Sequence, residues 1–187
     1  YDCNGIYLFD KDAIMWKPNT VVLEIPKIDV NNIEFKNTIN IIFDYQNTCD
    51  AYDKKYVFME ESFFADGFKV NDVEVVQQIA KVVGKENIMV KIHPRNPVNR
   101  FKELGYKTNE NTHIPWEVIV LNQDMSDKIL LTFASTAVLN PFRLFGQNTK
   151  VYSLYKCFET VPDILRGALW EATEYAYKKY YPTIEIL

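Results

Sequence analysis

The stretch "YVFMEESFFADGFKVNDVEVVQQIAKVVGKENIMVKIHP", Tyr56 to Pro94, decides the fold. It opens on a short apolar run typical of a buried strand, and a turn at "ADG" follows. The segment "NDVEVVQQIAKVVG" then places five apolar residues at helical spacing: Val73, Val76, Ile79, Ala80 and Val83. Asn71 or Asp72 can cap the start of this helix and Gly84 its end. "NIMVKI" is a second apolar strand, so the stretch predicts a β-α-β unit.

The same alternation continues towards the carboxyl end of the chain. "PVNRFKELG" predicts a short helix, "IPWEVIVL" a second one with Pro115 at its first position, and "KILLTF" a third strand. "STAVLNPFRLFG" predicts a helix that Pro141 kinks or shortens, and "TKVYSLY" a fourth strand. A long helix should start near Val161, with Thr160 and Asp163 spaced as a capping box. Strands separated by helices predict an α/β fold, a Rossmann-like parallel sheet with helices on both faces.

Upstream of this pattern the chain has no clear repeat. "IYLF" and "TVVLEI" are typical of short strands, and "NTINIIF" alternates partly and is a further strand candidate. The polar segment "DYQNTCDAYDKK" predicts a loop. We therefore divide the chain into residues 1–50, a β-rich linker or remnant of an upstream half, and residues 51–187, a Rossmann-like domain. The chain begins "YDCNGIYLF" without Met, and we expect it to be part of a longer protein.

Composition narrows the class of protein. The chain has 187 residues, 48% of them hydrophobic, with a formal net charge of −4, which is typical of a folded globular domain and not of a nucleic-acid-binding protein. Cys3, Cys49 and Cys157 are an odd number without metal-ligand spacing, so unpaired thiols in a reducing compartment are the expectation. No apolar run approaches the roughly 20 residues that span a bilayer.

In parallel α/β sheets ligands bind beyond the carboxyl ends of the strands, so the residues after each apolar run are the site candidates. Three strand ends carry polar groups there: Glu60, Glu61, Ser62, Asp66 and Gly67 after the first; His93, Pro94 and Arg95 after the second; Ser135 and Thr136 after the third. We expect these three groups to meet at one edge of the sheet.

Ser135 and Thr136 lie at the predicted start of a helix. Hydroxyls and free backbone N–H groups converge at such a position in a region of positive potential, which suits a phosphate. An ordinary N-cap without a ligand gives the same pattern, and nearly every helix has one.

His93 precedes a proline and Arg95, and its imidazole titrates near neutral pH. It could donate a hydrogen bond to a phosphate or protonate a leaving group. The alternative is a half-exposed histidine in a strand-to-helix turn. His113, in "NTHIPW", has no comparable neighbours and is interpreted as a loop residue.

Asp66 precedes Gly67 in a turn dipeptide and is the candidate general base for an incoming hydroxyl. Glu60 and Glu61 are alternative bases, although adjacent residues cannot both point into one cleft if the strand continues through them.

Several other patterns carry less weight. "DKD", Asp10 to Asp12, has a form that some sugar transferases use to bind a divalent metal, but it lies far from the regular α/β part. No GxGxxG, GxxxxGK[ST], GxSxG or HExxH motif is present. The tail "EYAYKKYYP" could contact a membrane surface or pack against a missing domain.

Read in order, "YVFMEESFFADGF", "VKIHPRNP" and "LLTFASTAVLNPFRLFG" resemble the nucleotide-binding half of bacterial sialyltransferases of the lipooligosaccharide type, glycosyltransferase family 52. More distantly they resemble the capsular polysialyltransferases. The similarity covers roughly Tyr56 to Leu154. It implies a GT-B architecture, a CMP-activated sialic acid as donor, inversion at the anomeric carbon, and no metal or other cofactor.

Carried over to this chain, the resemblance implies a role for each of the candidate residues. His93 contacts the CMP phosphate and acts as general acid, Ser135 and Thr136 bind that phosphate, and Asp66 is the general base. We add Gly67, Pro94 and Arg95 to the substrate-binding set. The predicted partners are a nucleotide-sugar donor and a glycan acceptor, without nucleic acid.

The function predicted from these residues is that of an inverting sialyltransferase acting on a bacterial surface glycan, lipooligosaccharide or capsule. Its expected location is the cytoplasm, at the inner face of the bacterial plasma membrane. Peripheral membrane association and a homodimer are both compatible with the sequence. Three alternatives stay open: a GT-B transferase for another nucleotide sugar or a CDP-polyol, a non-catalytic α/β nucleotide-binding module, and a sugar-nucleotide epimerase.

Overall fold

The structure, a computed structural model, describes residues 4–11, 18–45, 50–157 and, beyond them, residues 167, 171, 174–175, 177–178 and 184–186. Its central element is a parallel sheet of six strands in the order β5-β4-β3-β6-β7-β8. These strands are β3 (Tyr56–Met59), β4 (Ile88–Lys91), β5 (Lys107–Thr108), β6 (Ile129–Thr132), β7 (Lys150–Ser153) and β8 (Ile184–Ile186). With its flanking helices the sheet forms a Rossmann-like α/β fold, as the sequence predicted.

The helices of this fold are α1 (Ile33–Ile42), α2 (Asp72–Val83), α3 (Arg100–Glu103), α4 (Trp116–Asn122) and α5 (Asn140–Phe145). Gly84 ends α2 with a φ of 85°, a backbone conformation that glycine adopts without steric cost. Pro141 lies at the start of α5, and a 3₁₀ turn, Thr136–Leu139, precedes that helix. The proline therefore shortens the predicted helix instead of kinking it.

The core is built around the central strand β3. The ring of Phe58 is fully buried and lies 5.7 Å from the ring of Phe101 and 5.6 Å from that of Phe133, centroid to centroid. Phe101 belongs to α3 and Phe133 follows β6. One side chain thus connects three segments, and its truncation to alanine should cost about 3–5 kcal/mol.

Residues 4–45 contribute a separate two-stranded parallel sheet, β1 (Ile6–Leu8) and β2 (Val22–Glu24), followed by α1. The two strands confirm the predictions from "IYLF" and "TVVLEI". The prediction of a strand at "NTINIIF" was wrong, because α1 covers this segment. The side chain of Asn32 accepts a hydrogen bond from the backbone of Phe35 and caps the helix, while Ile39 packs on the core.

Two strands were not predicted, β5 and β8. β5 has two residues, too few to show a period, and β8 has three. Thr160, Val161 and Asp163, where the closing helix was predicted to begin, lie outside the described residues.

The strand order places a crevice at the carboxyl end of β3. This strand pairs with β4 on one side and with β6 on the other, so the chain order reverses at β3. The loops that follow β3 and β6 leave the sheet side by side at this topological switch point, which is where open α/β sheets bind ligands. The fold therefore brings the three predicted groups of site residues to one edge.

Candidate functional site

Hydrogen bonds join the loops after β3, β4 and β6. The backbone N–H of His93 donates to Glu60 Oε2 at 3.0 Å, and that of Ser135 donates to Glu61 Oε1 at 3.0 Å. The amide of Asn96 donates to the backbone carbonyl of Glu61 and accepts from the backbone N–H of Ala65. The loop after β3 is thus fixed to both of its neighbours.

Asp66 forms a two-point ion pair with Arg95. Arg95 Nη1 lies 3.0 Å from Asp66 Oδ1 and Nη2 lies 3.2 Å from Oδ2. The hydroxyl of Ser62 donates to Asp66 Oδ2 at 2.6 Å and accepts from Arg95 Nη2. The Arg95 side chain is 62% exposed and that of Asp66 31%, so solvent screens the pair, and opening it should cost at most about 1 kcal/mol.

His93 is held as a neutral imidazole with its proton on Nε2. The backbone N–H of Arg95 donates to His93 Nδ1 at 3.2 Å, which makes Nδ1 the unprotonated nitrogen. Burial lowers the pKa of His93, and the charges of Arg95 and Lys91 lower it further, against the opposing effect of Asp66. At neutral pH the side chain therefore offers a single N–H donor.

A buried ion network supports the backbone beneath these groups. Arg100 Nη2 lies 3.0 Å from Glu60 Oε1 and 2.6 Å from Asp72 Oδ2, and the Glu60 side chain is 0% exposed. The guanidinium also lies over the ring of Phe64, 4.8 Å from its centroid. With one carboxylate oxygen on Arg100 and the other on the backbone of His93, Glu60 is a fixed structural group.

Glu61 turns the other way and enters the loop after β6. Its Oε1 accepts from the hydroxyl of Thr132 at 2.7 Å and from three consecutive backbone N–H groups at 2.9–3.0 Å, those of Phe133, Ala134 and Ser135. Its Oε2 is enclosed and has no hydrogen-bond partner. Burial raises the pKa of Glu61 to about 7, against the opposing effect of the four donors. A carboxyl group of the chain itself thus occupies backbone donors of the kind that bind phosphates.

The remaining predicted residues lie around this crevice. Ser135 accepts from the backbone N–H of Ala137 at 3.4 Å and so caps the 3₁₀ turn before α5. Thr136 and Pro94 are exposed, and Gly67 has a φ of 76° in the turn after Asp66. The structure therefore brings Asp66, His93, Arg95 and Ser135 to one edge of the sheet. The side chains of Glu60 and Glu61 point in different directions, Glu60 to the loop after β4 and Glu61 to the loop after β6.

Sequence reasoning missed Lys91, the last residue of β4. It is only 8% exposed, and its charge acts on the His93 imidazole. Its signal in the sequence is the spacing in "KIHPR", where Lys91, His93 and Arg95 occupy alternate positions.

His113 lies in an exposed loop, in agreement with its interpretation as a loop residue. Cys157 is an exposed free thiol, while Cys3, Cys49 and Asp12 of the "DKD" triplet lie outside the described residues, as does part of the "EYAYKKYYP" tail. Across the described ranges, no group of three or more His, Cys, Asp or Glu side chains could hold a metal ion. In that same part of the chain no helix combines the length and the apolar character needed to cross a membrane.

One comparison with known proteins identifies a family. The family model described as Alpha-2,8-polysialyltransferase (POLYST) matches residues 24–155, which is more than half of the chain. The matched range begins at the last residue of β2 and includes α1, the strands β3 to β7 and all three site loops. No curated protein and no solved structure matches the chain.

Proposed function

We propose that this chain, which belongs to the alpha-2,8-polysialyltransferase family, transfers sialic acid from a CMP-activated donor as the donor-binding half of an inverting GT-B enzyme. The observation that carries the proposal is the family match over residues 24–155, because this range contains every residue at the crevice. A sialyltransferase-like glycosyltransferase was the class predicted from the sequence, and the matched family is the one whose resemblance there was the more distant. Membership of the lipooligosaccharide type remains a prediction.

The reaction requires two groups of opposite protonation state. The acceptor hydroxyl attacks the anomeric carbon of the donor, the bond from that carbon to the phosphate oxygen breaks, and CMP leaves with the bonding electrons. One group must take the hydroxyl proton, and donors must stabilise the charge that develops on the phosphate. We assign the first role to Asp66 and the second to His93, with its N–H on Nε2.

The surroundings of the three carboxylates favour Asp66 as the base. Glu60 has both oxygens engaged, and Glu61 is enclosed. Asp66 is the partly exposed member, and its partner is the mostly exposed side chain of Arg95. In the proposed donor complex Arg95 turns from Asp66 to the phosphate, which frees the carboxylate to accept a proton.

The phosphate is expected between His93 and the loop after β6. Because Glu61 already accepts from the backbone N–H groups of that loop, we expect the hydroxyls of Ser135 and Thr136 to supply the contacts there. The single negative charge of the donor's phosphodiester, and the second charge that develops on the phosphate as CMP leaves, would raise the pKa of His93 from its lowered value and so allow this residue to act as a proton donor in that step. A monophosphate leaving group needs less cationic stabilisation than a diphosphate, which is consistent with a site without a metal.

The acceptor and cellular location follow from the family and remain proposals. The family name describes transfer to an α-2,8-linked sialic acid chain, so a growing capsular polysialic acid is the preferred acceptor, ahead of lipooligosaccharide. We place the protein at the inner face of the bacterial plasma membrane, where activated sugars and the growing glycan meet.

The two histidines allow a matched test of the assignment. In the full-length protein, His93→Ala should lower sialyl transfer from CMP-sialic acid by roughly 10²- to 10⁴-fold. His113→Ala, in the exposed loop, should leave the rate unchanged. Undiminished transfer by His93→Ala would show that the acid is another residue.

Calorimetric titration with CMP, CDP and UDP tests the donor. CMP should bind most tightly if the chain uses CMP-sialic acid. Tighter binding of UDP or CDP would refute the sialyl donor and favour a transferase for another nucleotide sugar or a CDP-polyol. If none of the three nucleotides bound, both the proposed donor and the nucleotide-binding module would be refuted.

A further inference from the structure

Lys91 is a buried lysine at the carboxyl end of β4. It pairs in register with Met59 of β3, and its residue surface is only 8% exposed. Lysine is almost never this buried in folded proteins unless its ammonium group has a partner. The environment of Nζ therefore needs an explanation.

No protein group among the described residues pairs with this ammonium. Lys91 Nζ has no hydrogen bond and no carboxylate oxygen within 4.0 Å there. Glu117 is the opposite charge that acts on it, from a greater distance, and the Glu117 carboxylate itself accepts from the amide of Asn140. Burial lowers the pKa of Lys91, and the charge of Glu117 opposes this effect only in part.

The amino group nevertheless remains within reach of solvent. Lys91 Nζ is not one of the fully enclosed orphan atoms of the described residues, whereas Glu61 Oε2 is. A buried stem with an accessible, unpaired cationic end is the form expected of a group that binds a ligand.

The charges around His93 indicate the charge of that ligand. Lys91 and Arg95 both lower the pKa of His93 through their positive charge, so the residues at both ends of the "KIHPR" segment place positive charge near the imidazole. Arg95 is compensated by its ion pair with Asp66, whereas Lys91 lacks such a pair. The excess of positive charge beside the imidazole favours an oxyanion.

We propose that Lys91 is a further binding residue of the donor site and that its ammonium group contacts the phosphate of the CMP-activated donor beside His93. The inference rests on the function proposed above. Lysine binds phosphate as a point charge, without the fixed geometry of arginine. When the bond between the anomeric carbon and the phosphate oxygen breaks, the leaving phosphate gains negative charge, which Lys91 stabilises without transferring a proton.

The substitution Lys91→Met tests this role in the 187-residue chain. Calorimetry should show CMP affinity reduced roughly 10- to 100-fold, because the charged contact is lost, and cytidine affinity unchanged. Lys128→Met is the matched control, since the Lys128 side chain is 13% exposed but lies just before β6, at the opposite edge of the sheet, and pairs with Asp127. This control should bind CMP as the wild type does.

Thermal unfolding separates a binding role from a structural one. Lys91→Met removes an unpaired buried charge, so its melting temperature should equal or exceed that of the wild type. A lower melting temperature with CMP and cytidine binding lost together would assign Lys91 to the support of the fold and overturn the inference.

Three further outcomes distinguish the role of Lys91 from the proposed function. Equal CMP affinity of Lys91→Met and wild type would overturn the role of Lys91 and leave the proposed function intact. The same result with weaker binding of CMP-sialic acid would move the contact to the sugar carboxylate and overturn the phosphate assignment. A wild-type chain that prefers UDP or CDP to CMP refutes the proposed function and this inference together.

Discussion

Glu61 Oε1 lies 3.0 Å from the backbone nitrogen of Ser135, so the loop after β3 is bonded to the loop after β6 through a carboxyl group. The same oxygen accepts from the backbone N–H groups of Phe133 and Ala134. A carboxyl group of the chain therefore satisfies the donors that a phosphate would otherwise find at the switch point of the sheet. The enclosure of the second oxygen is the energetic cost of this arrangement.

Glu61→Gln should change how stability depends on pH. The folded-state pKa of Glu61 is raised to about 7 from an ordinary value of 4.5. Between these two values the folded chain holds a proton that the unfolded chain has released, so wild-type stability falls as pH rises from about 4.5 to about 7 and then levels off. The Glu61→Gln variant has a neutral amide at this position, so it should not show this loss of stability.

The expected size follows from the shift of the pKa. Relative to Glu61→Gln, the wild type should lose about 2–3 kcal/mol of unfolding free energy between pH 5 and pH 8, measured by urea denaturation at both values. The glutamine variant has the cost of an enclosed amide N–H₂ at both pH values, so this cost cancels when the change between pH 5 and pH 8 is compared. Glu74→Gln, on the exposed side of α2, should follow the wild type. Parallel curves for Glu61→Gln and wild type would contradict the raised pKa.

Asp66→Asn should impair transfer while leaving the fold intact. The amide cannot accept the acceptor's proton, so sialyl transfer should fall by roughly 10²- to 10⁴-fold. Because solvent screens the ion pair with Arg95, the unfolding free energy should change by no more than about 1 kcal/mol. Enzyme kinetics and denaturation on the same preparation measure both quantities.

Asp53→Asn provides the matched control for that variant. Asp53 also forms an exposed ion pair, with Lys107, but lies before β3, at the other edge of the sheet. It should show the same small change in stability and full activity. If Asp66→Asn retained wild-type transfer, the base would have to be another group.

Arg100→Met should destabilise the chain strongly. The substitution leaves Glu60 and Asp72 as buried carboxylates without their counter-ion, which should cost about 3–5 kcal/mol of unfolding free energy. Lys102 lies two residues after Arg100 and forms an exposed ion pair with Glu110. Lys102→Met breaks this pair and should cost at most about 1 kcal/mol of unfolding free energy. Similar midpoints for the two variants in urea denaturation would show that the buried network contributes little.

The regular α/β part was predictable because its signals are local. The runs "YVFM" and "NIMVKI" are apolar on both faces of a central sheet, and α2 carries its apolar residues at helical spacing and ends at Gly84. The segment of α1 was misjudged because its isoleucines favour strands, whereas the cap at Asn32 and the mutual hydrogen bonds of Asn40 with Asn122 depend on the folded chain.

The candidate site was predictable in position more than in its contacts. The rule that ligands bind beyond strand ends located His93, Asp66 and Ser135. It did not reveal that Glu61 fills the loop after β6, because that bond joins residues 72 or more positions apart. It also did not distinguish the buried Lys91 from an ordinary surface lysine, since burial is a property of the folded chain.

The parallel pairing of β3 with β6 has a consequence for how the chain folds during synthesis. The unit β3-α2-β4 can assemble early because its parts are neighbours in the sequence. The crevice, however, needs β6, whose register with β3 joins Tyr56 to Ile129. Such non-local pairing is slow, and until it forms the unpaired edge of β3 can recruit other chains. A ribosome stalled before Ile129 should therefore carry a nascent chain that is prone to aggregate.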